Sequence, residues 1–275
     1  MQADDNYGFD ILDVKIIKEH TRTRWIAKEI LLFEEIESTN VKATVLAGSG
    51  ASHGTLVLAN SQTDGKGRRG RSWHTPRGTS IAMSVILKPQ LEAEYASMLT
   101  LIQALAVVKA LEEKYGLQSQ IKWPNDILIH ERKICGILTE MNLKGTQIAS
   151  IIIGTGINVN QEKFPQEIAQ IATSLKRENG QVICREVLIA AICEKFEYYF
   201  ELFMKNKELS FMLEEYNACL VSAGRKVKVL DPKGEFTGEA LGINKHGELL
   251  VRTAEGEVVN VYAGEVSVRG VYGYV

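Results

Sequence analysis

One short segment of the sequence combines several cations with several glycines. Residues 62–73 read QTDGKGRRGRSW, and the seven residues 65–71 hold four cations and three glycines: Lys66, Arg68, Arg69, Arg71, Gly65, Gly67 and Gly70. Cations this close repel one another unless an anion lies among them, and glycines let backbone N–H groups turn toward a phosphate. The segment predicts an anion-binding loop, although its charge alone is also typical of a solvated basic turn or a nucleic-acid patch.

The position of this loop favours a binding role. It follows one predicted strand, ends at Trp73 and precedes another predicted strand, so a sheet lies beneath it. Trp73 is either a core anchor or a wall on which a purine stacks, and sequence position does not separate the two.

Two polar clusters flank the predicted strands. Glu37-Ser38-Thr39-Asn40 supplies hydroxyl and amide groups, which could bind a ligand or cap the next helix. In Lys122-Trp123-Pro124-Asn125-Asp126 the carboxylate of Asp126 could hold Mg²⁺, accept a proton, or only form an Asx turn.

Two further segments add a cation and a glycine-rich stretch. Lys133 comes shortly before Gly136 and is either solvated or directed at a phosphate. The segment Gly154-Thr155-Gly156-Ile157-Asn158 permits close backbone approach and adds one amide, which by itself is a weak signal.

Composition narrows the class of protein. The 275 residues carry 32 Lys and Arg against 34 Asp and Glu, a formal charge of -2, so nothing global indicates a nucleic-acid or membrane partner. The N-terminus lacks the pattern of a signal peptide and no apolar run approaches a bilayer span, which predicts a cytoplasmic location. Cys135, Cys184, Cys193 and Cys219 lack zinc-site spacing and are interpreted as reduced core residues.

Hydrophobic periodicity predicts the elements that must position these groups. The predicted strands are 31–36, 54–60, 79–88, 120–123, 126–130, 135–142 and 147–153. The strands after 120 are too close for parallel crossovers, so we expect hairpins. The predicted helices are 92–115, ended by Gly116, a short helix or turn at 168–175, then 185–206 and 208–221.

The character of the sequence changes near residue 222. Short strands follow, with turn signals at 231–234, 245–247 and 255–256, which predict a small all-β barrel of four or five strands. No flexible Gly/Ser linker separates the two parts, so we expect them to pack together.

Taken in this order, the segments resemble the biotin protein ligases, enzymes that join biotin to a lysine of a carrier protein. The resemblance is carried by residues 37–40, GKGRRGRSW at 65–73, residues 122–126, Arg132-Lys133 with Gly136, and residues 154–158. It implies a catalytic domain at 1–222, with a lead-in at 1–29, and a small SH3-like domain at 223–275 that includes Val266-Ser267-Val268-Arg269. The implied fold is α+β: a mixed, mainly antiparallel sheet flanked by helices, with a C-terminal SH3-like β-barrel.

The resemblance also implies roles for the matching residues. For biotin, with Ser38, Thr39 and Gln62 near the ureido ring, they are Ser38, Thr39, Asn40, Gln62, Gly65, Lys66, Gly67, Arg68, Lys133, Gly136 and Gly156. For the nucleotide they are Arg68, Arg71, Trp73, Asn125, Lys133, Asn158 and Arg269. The family commonly has Arg where this chain has Lys66, which keeps the charge but loses the bidentate fork.

Chemistry explains why such an enzyme needs these residue types. A carboxylate acylates an amine only after activation, here by attack on the α-phosphate of ATP, and two anions then meet in one site. Lys133, Arg68 and Mg²⁺ would stabilise that charge, and Asp126 would serve as base for the acceptor lysine. No set of protein metal ligands is expected.

Partners and alternatives follow from the same reading. The expected partners are biotin, ATP and a biotin carboxyl carrier protein, with a homodimer plausible from the family. Residues 1–29 are too few for the winged helix-turn-helix of family members that repress genes, so we expect no operator binding. The alternatives are a nucleic-acid-binding protein that uses GKGRRGR, and a lipoate or octanoyl ligase on a similar scaffold.

Overall fold

A mixed sheet forms the centre of the protein. The computed structural model describes residues 11–231, 234–263 and 267–270. Seven strands form the central sheet: β1 (Ile30–Ile36), β2 (Leu56–Gln62), β3 (Ser80–Leu87), β4 (Gln120–Lys122), β5 (Asp126–Ile129), β6 (Arg132–Lys144) and β7 (Gln147–Asn158). Their order is β1-β2-β3-β7-β6-β5-β4; β1 and β2 are parallel and the other neighbours are antiparallel.

Helices cover both faces of this sheet. They are α1 (Val14–His20), α2 (Thr39–Gly48), α3 (Met98–Tyr115), α4 (Leu175–Asn179), α5 (Arg185–Asn206) and α6 (Leu213–Cys219). On β2, Leu56 and Leu58 belong to the main core with α3 and α5, whereas Val57 packs in a second cluster with α2. Alternate residues of a strand point to opposite faces, so a strand covered on both sides is apolar throughout.

Helix α3 is the most buried helix of the core. Together with the preceding turn it is long and apolar enough to cross a bilayer, but 72% of its most apolar window is buried within the protein. That burial is typical of the core helix of a folded domain.

A second sheet follows α6. Its strands are β8 (Lys226–Asp231), β9 (Gly234–Ile243), β10 (Leu249–Arg252), β11 (Val258–Val261) and β12 (Ser267–Gly270), antiparallel in the order β11-β10-β9-β8-β12. The expected α+β class, with a mixed, mainly antiparallel sheet and an all-β C-terminal part, is confirmed. SH3-like closure and the boundary at 222 stay predictions, and the predicted turn residues 232–233 and Val266 lie outside the described residues.

Two helix predictions were wrong at their ends. The α-helix within 92–115 begins at Met98, and Ala93–Tyr95 instead forms a separate 3₁₀ turn. The segment 208–221 divides in the same way into a 3₁₀ turn at Ser210–Met212 and α6. Apolar periodicity does not distinguish a 3₁₀ turn from an α-helix, because the three- and four-residue spacings differ little over a single turn.

One strand is also longer than predicted. Strand β7 does not end at residue 153 but continues through the glycine-rich segment to Asn158, paired with β3 and β6. The segment 168–175, predicted as a short helix or turn, begins as a turn, and α4 starts at Leu175. Glycines normally weaken a strand, so their presence inside β7 needs a reason in the packing.

Candidate ligand-binding site

The basic segment folds as a narrow hairpin over the sheet. Isolated β-bridges join Gln62 to Thr75 and Lys66 to Ser72. Gly65 accepts a hydrogen bond from the Trp73 backbone N–H at 2.6 Å, and a Cβ on Gly65 would lie 2.4 Å from the Trp73 carbonyl oxygen. Glycine is therefore required where the two arms of this hairpin meet.

Trp73 lies on a glycine floor made by two paired strands. Gly136 of β6 and Gly156 of β7 are register partners. A Cβ on Gly156 would lie 2.3 Å from Trp73 Nε1, and one on Gly136 would lie 3.1 Å from the same ring. The indole N–H is buried and, among the described residues, has no hydrogen-bond partner. These contacts explain why β7 carries glycine there.

Polar groups close one end of the floor. The N–H of Thr39 donates to Gln62 Oε1 at 2.8 Å, and Gln62 Nε2 donates to Thr75 Oγ1 at 2.8 Å. Ser38 is the N-cap residue of α2, but its side chain makes no capping hydrogen bond. It is buried in the wall of the cavity above the glycine floor, which is called here the glycine-floored cleft. Capping therefore does not account for the Ser38 hydroxyl.

Asn40 lies against the same floor, with both ends of its amide engaged. Its Oδ1 accepts from Ser84 Oγ at 2.6 Å and its Nδ2 donates to Glu140 Oε2 at 2.6 Å. A Cβ on Gly154 would lie 2.1 Å from Asn40 Oδ1. Asn40 thus packs α2 against β7 as well as lining the cleft.

A cation-rich pocket adjoins the cleft. Its cavity of about 400 Å³ is lined by Arg68, Arg69, Arg71, Lys122, Trp123, Pro124, Asn125, Asp126, Lys133, Ile171, Val268 and Arg269. Lys133 Nζ lies 2.7 Å from Asp126 Oδ1, and Arg68 Nη1 donates to Asn125 Oδ1 at 2.9 Å. Burial, aided by the surrounding cations and opposed by Asp126, lowers the pKa of Lys122 to about 8. Such a concentration of cations is suited to a polyphosphate.

A third, more apolar cavity lies on the other side of Trp73. It measures about 420 Å³ and includes Trp73, Arg71 and Asn158 together with the apolar residues Phe164, Pro165, Ile168, Ile171 and Ala172. Asn158 Nδ2 donates to the Thr173 carbonyl at 3.1 Å, which fixes the amide at the cavity edge. An aromatic ring, apolar walls and edge amides are suited to a purine nucleoside.

Lys133 lies where the three cavities meet. It lines the glycine-floored cleft, the cation-rich pocket and the apolar cavity, and its Nζ is 5.3 Å from the Trp73 ring centroid. One ammonium group can therefore contact ligands in all three.

The structure brings together the residues singled out from the sequence. The cleft is lined by Ser38, Thr39, Asn40, Gln62, Lys66, Gly67, Lys133, Gly136 and Gly156, and Gly65 lines the apolar cavity. Lys66 also lies 3.7 Å from Glu37 Oε1. Arg68, Arg71, Asn125, Asp126 and Arg269 line the cation-rich pocket.

Several residues of these walls had no role predicted from the sequence. Lys122 was visible in a motif, but its burial among other cations depends on tertiary structure. Phe164, Ile168 and Ile171 lie in a segment without regular periodicity, and no sequence signal identifies them as cavity walls. Among the described residues, no group of three His, Cys, Asp or Glu side chains could hold a metal ion.

Comparison with known proteins agrees with this geometry. The sequence model of the Biotin/lipoate A/B protein ligase family matches residues 32–158, and that of the Biotin protein ligase C terminal domain matches residues 223–269. The chain therefore contains both sequence domains of this ligase class, in that order.

Individual relatives narrow the class. The chain is 39% identical over 249 residues to the Bifunctional ligase/repressor BirA of Bacillus subtilis (strain 168), covering 89% of this chain and 75% of that protein. It is 30% identical over 239 residues to the Biotin--[acetyl-CoA-carboxylase] ligase of Paracoccus denitrificans, covering 85% of this chain and 98% of that protein. The structure of the biotin protein ligase from Aquifex aeolicus in complex with biotin and ATP superposes with a TM-score of 0.78 at 30% identity, covering 88% and 99% of the two chains. The chain belongs to the biotin protein ligase family.

Proposed function

We propose that this chain activates biotin with ATP as biotinoyl-5′-AMP, releases pyrophosphate, and transfers the biotinoyl group to a lysine of a biotin carboxyl carrier protein. The observation that carries the proposal is the position of Lys133 at the junction of three cavities. A carboxylate in the cleft and a nucleotide in the other two would meet at this ammonium. The names and ligands of the relatives support the same substrates.

Biotin is assigned to the glycine-floored cleft. The hydroxyls of Ser38 and Thr39 and the amide of Gln62 are hydrogen-bonding groups of the kind a ureido ring needs. The Trp73 ring fills the space above Gly136 and Gly156, and a flat ring of the ligand would take its place on the sheet. The free volume of the cleft is about 50 Å³ while the Trp73 ring lies on that floor, so we expect the ring to move when biotin enters.

The nucleotide is assigned to the other two cavities. Trp73 would stack on the adenine, with Asn158 and the apolar wall around it and Asn125 and Arg71 nearer the ribose and phosphates. Arg68, Lys122 and Arg269 would bind the phosphates in the cation-rich pocket. Trp73 lines both the cleft and the apolar cavity, which makes it the shared wall between the two ligands.

The first step forms a bond between a biotin carboxylate oxygen and the α-phosphorus. The bond from that phosphorus to the bridging oxygen breaks, and pyrophosphate leaves with the electron pair. Lys133 and Arg68 would stabilise the charge that develops on the phosphoryl oxygens. One preorganised donor of this kind is worth about 3 kcal/mol, or roughly 10²- to 10³-fold in rate.

The second step transfers the biotinoyl group to nitrogen. A neutral lysine amine of the acceptor attacks the acyl carbon, AMP leaves, and the amine loses a proton. Asp126 is assigned as the base because it is the carboxylate among the lining residues of the cation-rich pocket. Its 2.7 Å contact with Lys133 would also orient that ammonium.

Mg²⁺ fits this site as an ion held mainly by phosphate oxygens. Magnesium commonly uses one or two protein carboxylates together with substrate phosphates and water. The lining residues of the cation-rich pocket offer one carboxylate, Asp126. When bound there, Mg²⁺ would neutralise charge on the phosphates.

Two further properties remain predictions for this chain. The expected homodimer would be tested by sedimentation at micromolar concentration. The cytoplasmic location would be tested by cell fractionation.

Biotin-dependent exchange of pyrophosphate into ATP tests the first step directly. Calorimetry with biotin, with and without ATP, followed by mass analysis of the bound product, should detect biotinoyl-AMP. Lys133→Ala should lower the exchange rate roughly 10²- to 10³-fold and weaken biotin binding. Lys195→Ala, which removes a remote lysine paired with Glu113 on the surface, is the control and should exchange at the wild-type rate. Exchange by Lys133→Ala at the wild-type rate would refute the role of Lys133.

A further inference from the structure

A buried carboxylate outside the three cavities makes hydrogen bonds to two segments that line the proposed nucleotide site. Glu178, in α4, has a side chain that is 4% exposed. Its carboxylate accepts from Arg132 Nη2 at 2.6 Å and from Thr173 Oγ1, and it lies 2.7 Å from His130 Nδ1. The proposed function uses none of these four side chains.

The partners of Glu178 belong to two segments that hold Lys133 between them. His130 and Arg132 lie at the β5–β6 turn, and Lys133 is the next residue of β6. Thr173 belongs to the strap, defined here as residues 168–173. Glu178 therefore ties the turn that presents Lys133 to the strap.

The strap is also bonded to Lys133 through its backbone. The Lys133 N–H donates to the Ile171 carbonyl at 2.8 Å, and the Thr173 N–H donates to the Lys133 carbonyl at 3.0 Å. Thr173 is fully buried, and Ile168, Ile171 and Ala172 of the strap line the apolar cavity. A shift of the strap would thus move Lys133 and the cavity wall together.

Hydrogen bonds and the positive charge of Arg132 more than offset burial and hold the pKa of Glu178 below its usual value. The ionised carboxylate has acceptor sites for all three donors. A neutral amide of the same shape would present an N–H₂ group toward at least one donor, so the cluster would lose a contact.

We propose that Glu178, with Arg132 and Thr173, is a positioning residue that sets the strap against Lys133 and so fixes the nucleotide half of the site. The proposal rests on the proposed function, because it assigns the apolar cavity to the adenosine. The glycine-floored cleft contains no strap residue among its lining residues, so its binding of biotin should depend on Glu178 much less.

Glu178→Gln tests the proposal by a split between the two ligands. It should raise KM for ATP about tenfold or more in the pyrophosphate-exchange assay, because a misplacement of about 1 Å can cost 10²-fold. The Kd for biotin, measured by calorimetry without ATP, should rise clearly less than KM for ATP, since Lys133 reaches the cleft but the strap residues line the cavities assigned to the nucleotide.

A matched control separates positioning from general loss of stability. Glu197 is also a buried carboxylate. It accepts hydrogen bonds from the backbone N–H groups of Arg24, Trp25 and Ile26, which are distant in sequence from the site residues. Glu197→Gln should lower the melting temperature and leave KM for ATP unchanged. Thr173→Val should raise KM for ATP, whereas Thr173→Ser, which keeps the hydroxyl, should restore it.

The outcomes are decisive in each direction. A folded Glu178→Gln variant with wild-type KM for ATP overturns the proposal, and so does an equal loss for biotin and ATP that Glu197→Gln reproduces. Absence of biotin-dependent exchange in the wild-type protein would instead refute the proposed function. In that case calorimetry with ATP alone still compares Glu178→Gln with wild type.

Discussion

At the scale of single residues, the site gathers positive charge that the chain as a whole lacks. The formal charge of the chain is -2, yet six cations line one pocket together with one carboxylate: Arg68, Arg69, Arg71, Lys122, Lys133, Arg269 and Asp126. Desolvation and mutual repulsion make such a cluster costly without an anion. The cost is visible at Lys122, whose pKa is about 8.

The lowered pKa of Lys122 predicts a pH dependence of ATP use. Lys122 is charged below about pH 8 and loses its charge as the pH rises through that value. Because a neutral amine attracts phosphate far less, kcat/KM for ATP in the exchange assay should fall roughly tenfold per pH unit above pH 8. The measurement is the exchange rate at low ATP between pH 7 and pH 10, since that ratio reports groups of the free enzyme.

Two variants identify the titrating group. Lys122→Arg stays protonated throughout this range, so its profile should stay flat above pH 8. Lys122→Met should be slow at every pH. An unchanged fall in Lys122→Arg would assign the titration to another residue.

Residue type and spacing, together with the resemblance to the ligases, selected most of the lining residues, but not their environments. Glycines alternating with cations indicated an anion site; Arg68, Arg69 and Arg71 line the cation-rich pocket, whereas Gly65 and Gly67 line the other two cavities. The pKa of Lys122 and the contacts of Glu178 could not be predicted, because both depend on segments distant in the sequence that fold against them. Sequence order likewise does not reveal that Trp73 faces two cavities.

At the scale of elements, the paired strands β6 and β7 explain why one prediction was wrong. The glycines of residues 154–156 suggested the end of a strand, since glycine weakens strands. In the structure they stay inside β7 because Asn40 fills the space above Gly154 and Trp73 fills the space above Gly156. Glycine here makes room for a side chain from another element, and only tertiary structure reveals that need. Strong periodicity predicted β3 and α5 well because most of their side chains pack in the core.

Adding one methyl group to the glycine floor should destabilise the protein and weaken the binding of biotin in the cleft. Gly156→Ala would place a Cβ 2.3 Å from Trp73 Nε1, so the ring must move and the floor becomes uneven. We expect the stability to fall by about 1–3 kcal/mol, as in other overpacked cores. Biotin should bind at least about tenfold more weakly by calorimetry, which corresponds to about 1.4 kcal/mol.

A glycine elsewhere in the chain provides the comparison. Gly48 ends α2, and a Cβ there would meet no atom within 4 Å. Gly48→Ala should leave the affinity for biotin unchanged. If Gly156→Ala binds biotin as tightly as Gly48→Ala, biotin does not lie on this floor.

At the scale of the whole molecule, the two sheets share one core. Val227, Val229 and Ala240 of the C-terminal sheet belong to the same buried cluster as the residues of α3 and α5. The C-terminal part also makes a polar contact with a site residue, since Arg68 Nη2 donates to the Ala263 carbonyl at 3.3 Å. The C-terminal part thus contributes to the geometry of the site in addition to supplying Arg269.

One turn of the C-terminal part packs against residues of the central sheet and of α3. Gly247, between β9 and β10, accepts a buried hydrogen bond from Trp123 Nε1 at 3.1 Å. Its φ is +78°, and a Cβ there would lie 2.6 Å from Leu101 Cδ1 of α3. Trp123 begins the Trp123-Pro124-Asn125 turn that lines the cation-rich pocket. The turn at Gly247 therefore helps to position Asn125 and its partner Arg68.

Gly247→Ala should reveal this coupling between the two parts. The added methyl group is strained by the positive φ and also presses on Leu101, so both stability and the position of Trp123 should change. We expect a lower melting temperature and a higher KM for ATP in the exchange assay. Gly256→Ala is the matched control, because Gly256, in the turn between β10 and β11, has φ of +87° but a Cβ there would meet no atom within 4 Å. It should lose about 1 kcal/mol from the backbone strain alone and keep the wild-type KM, because Gly256 makes no contact with Trp123 in the described part of the chain. If both variants keep the wild-type KM for ATP, the C-terminal part stabilises the fold without positioning the cation-rich pocket.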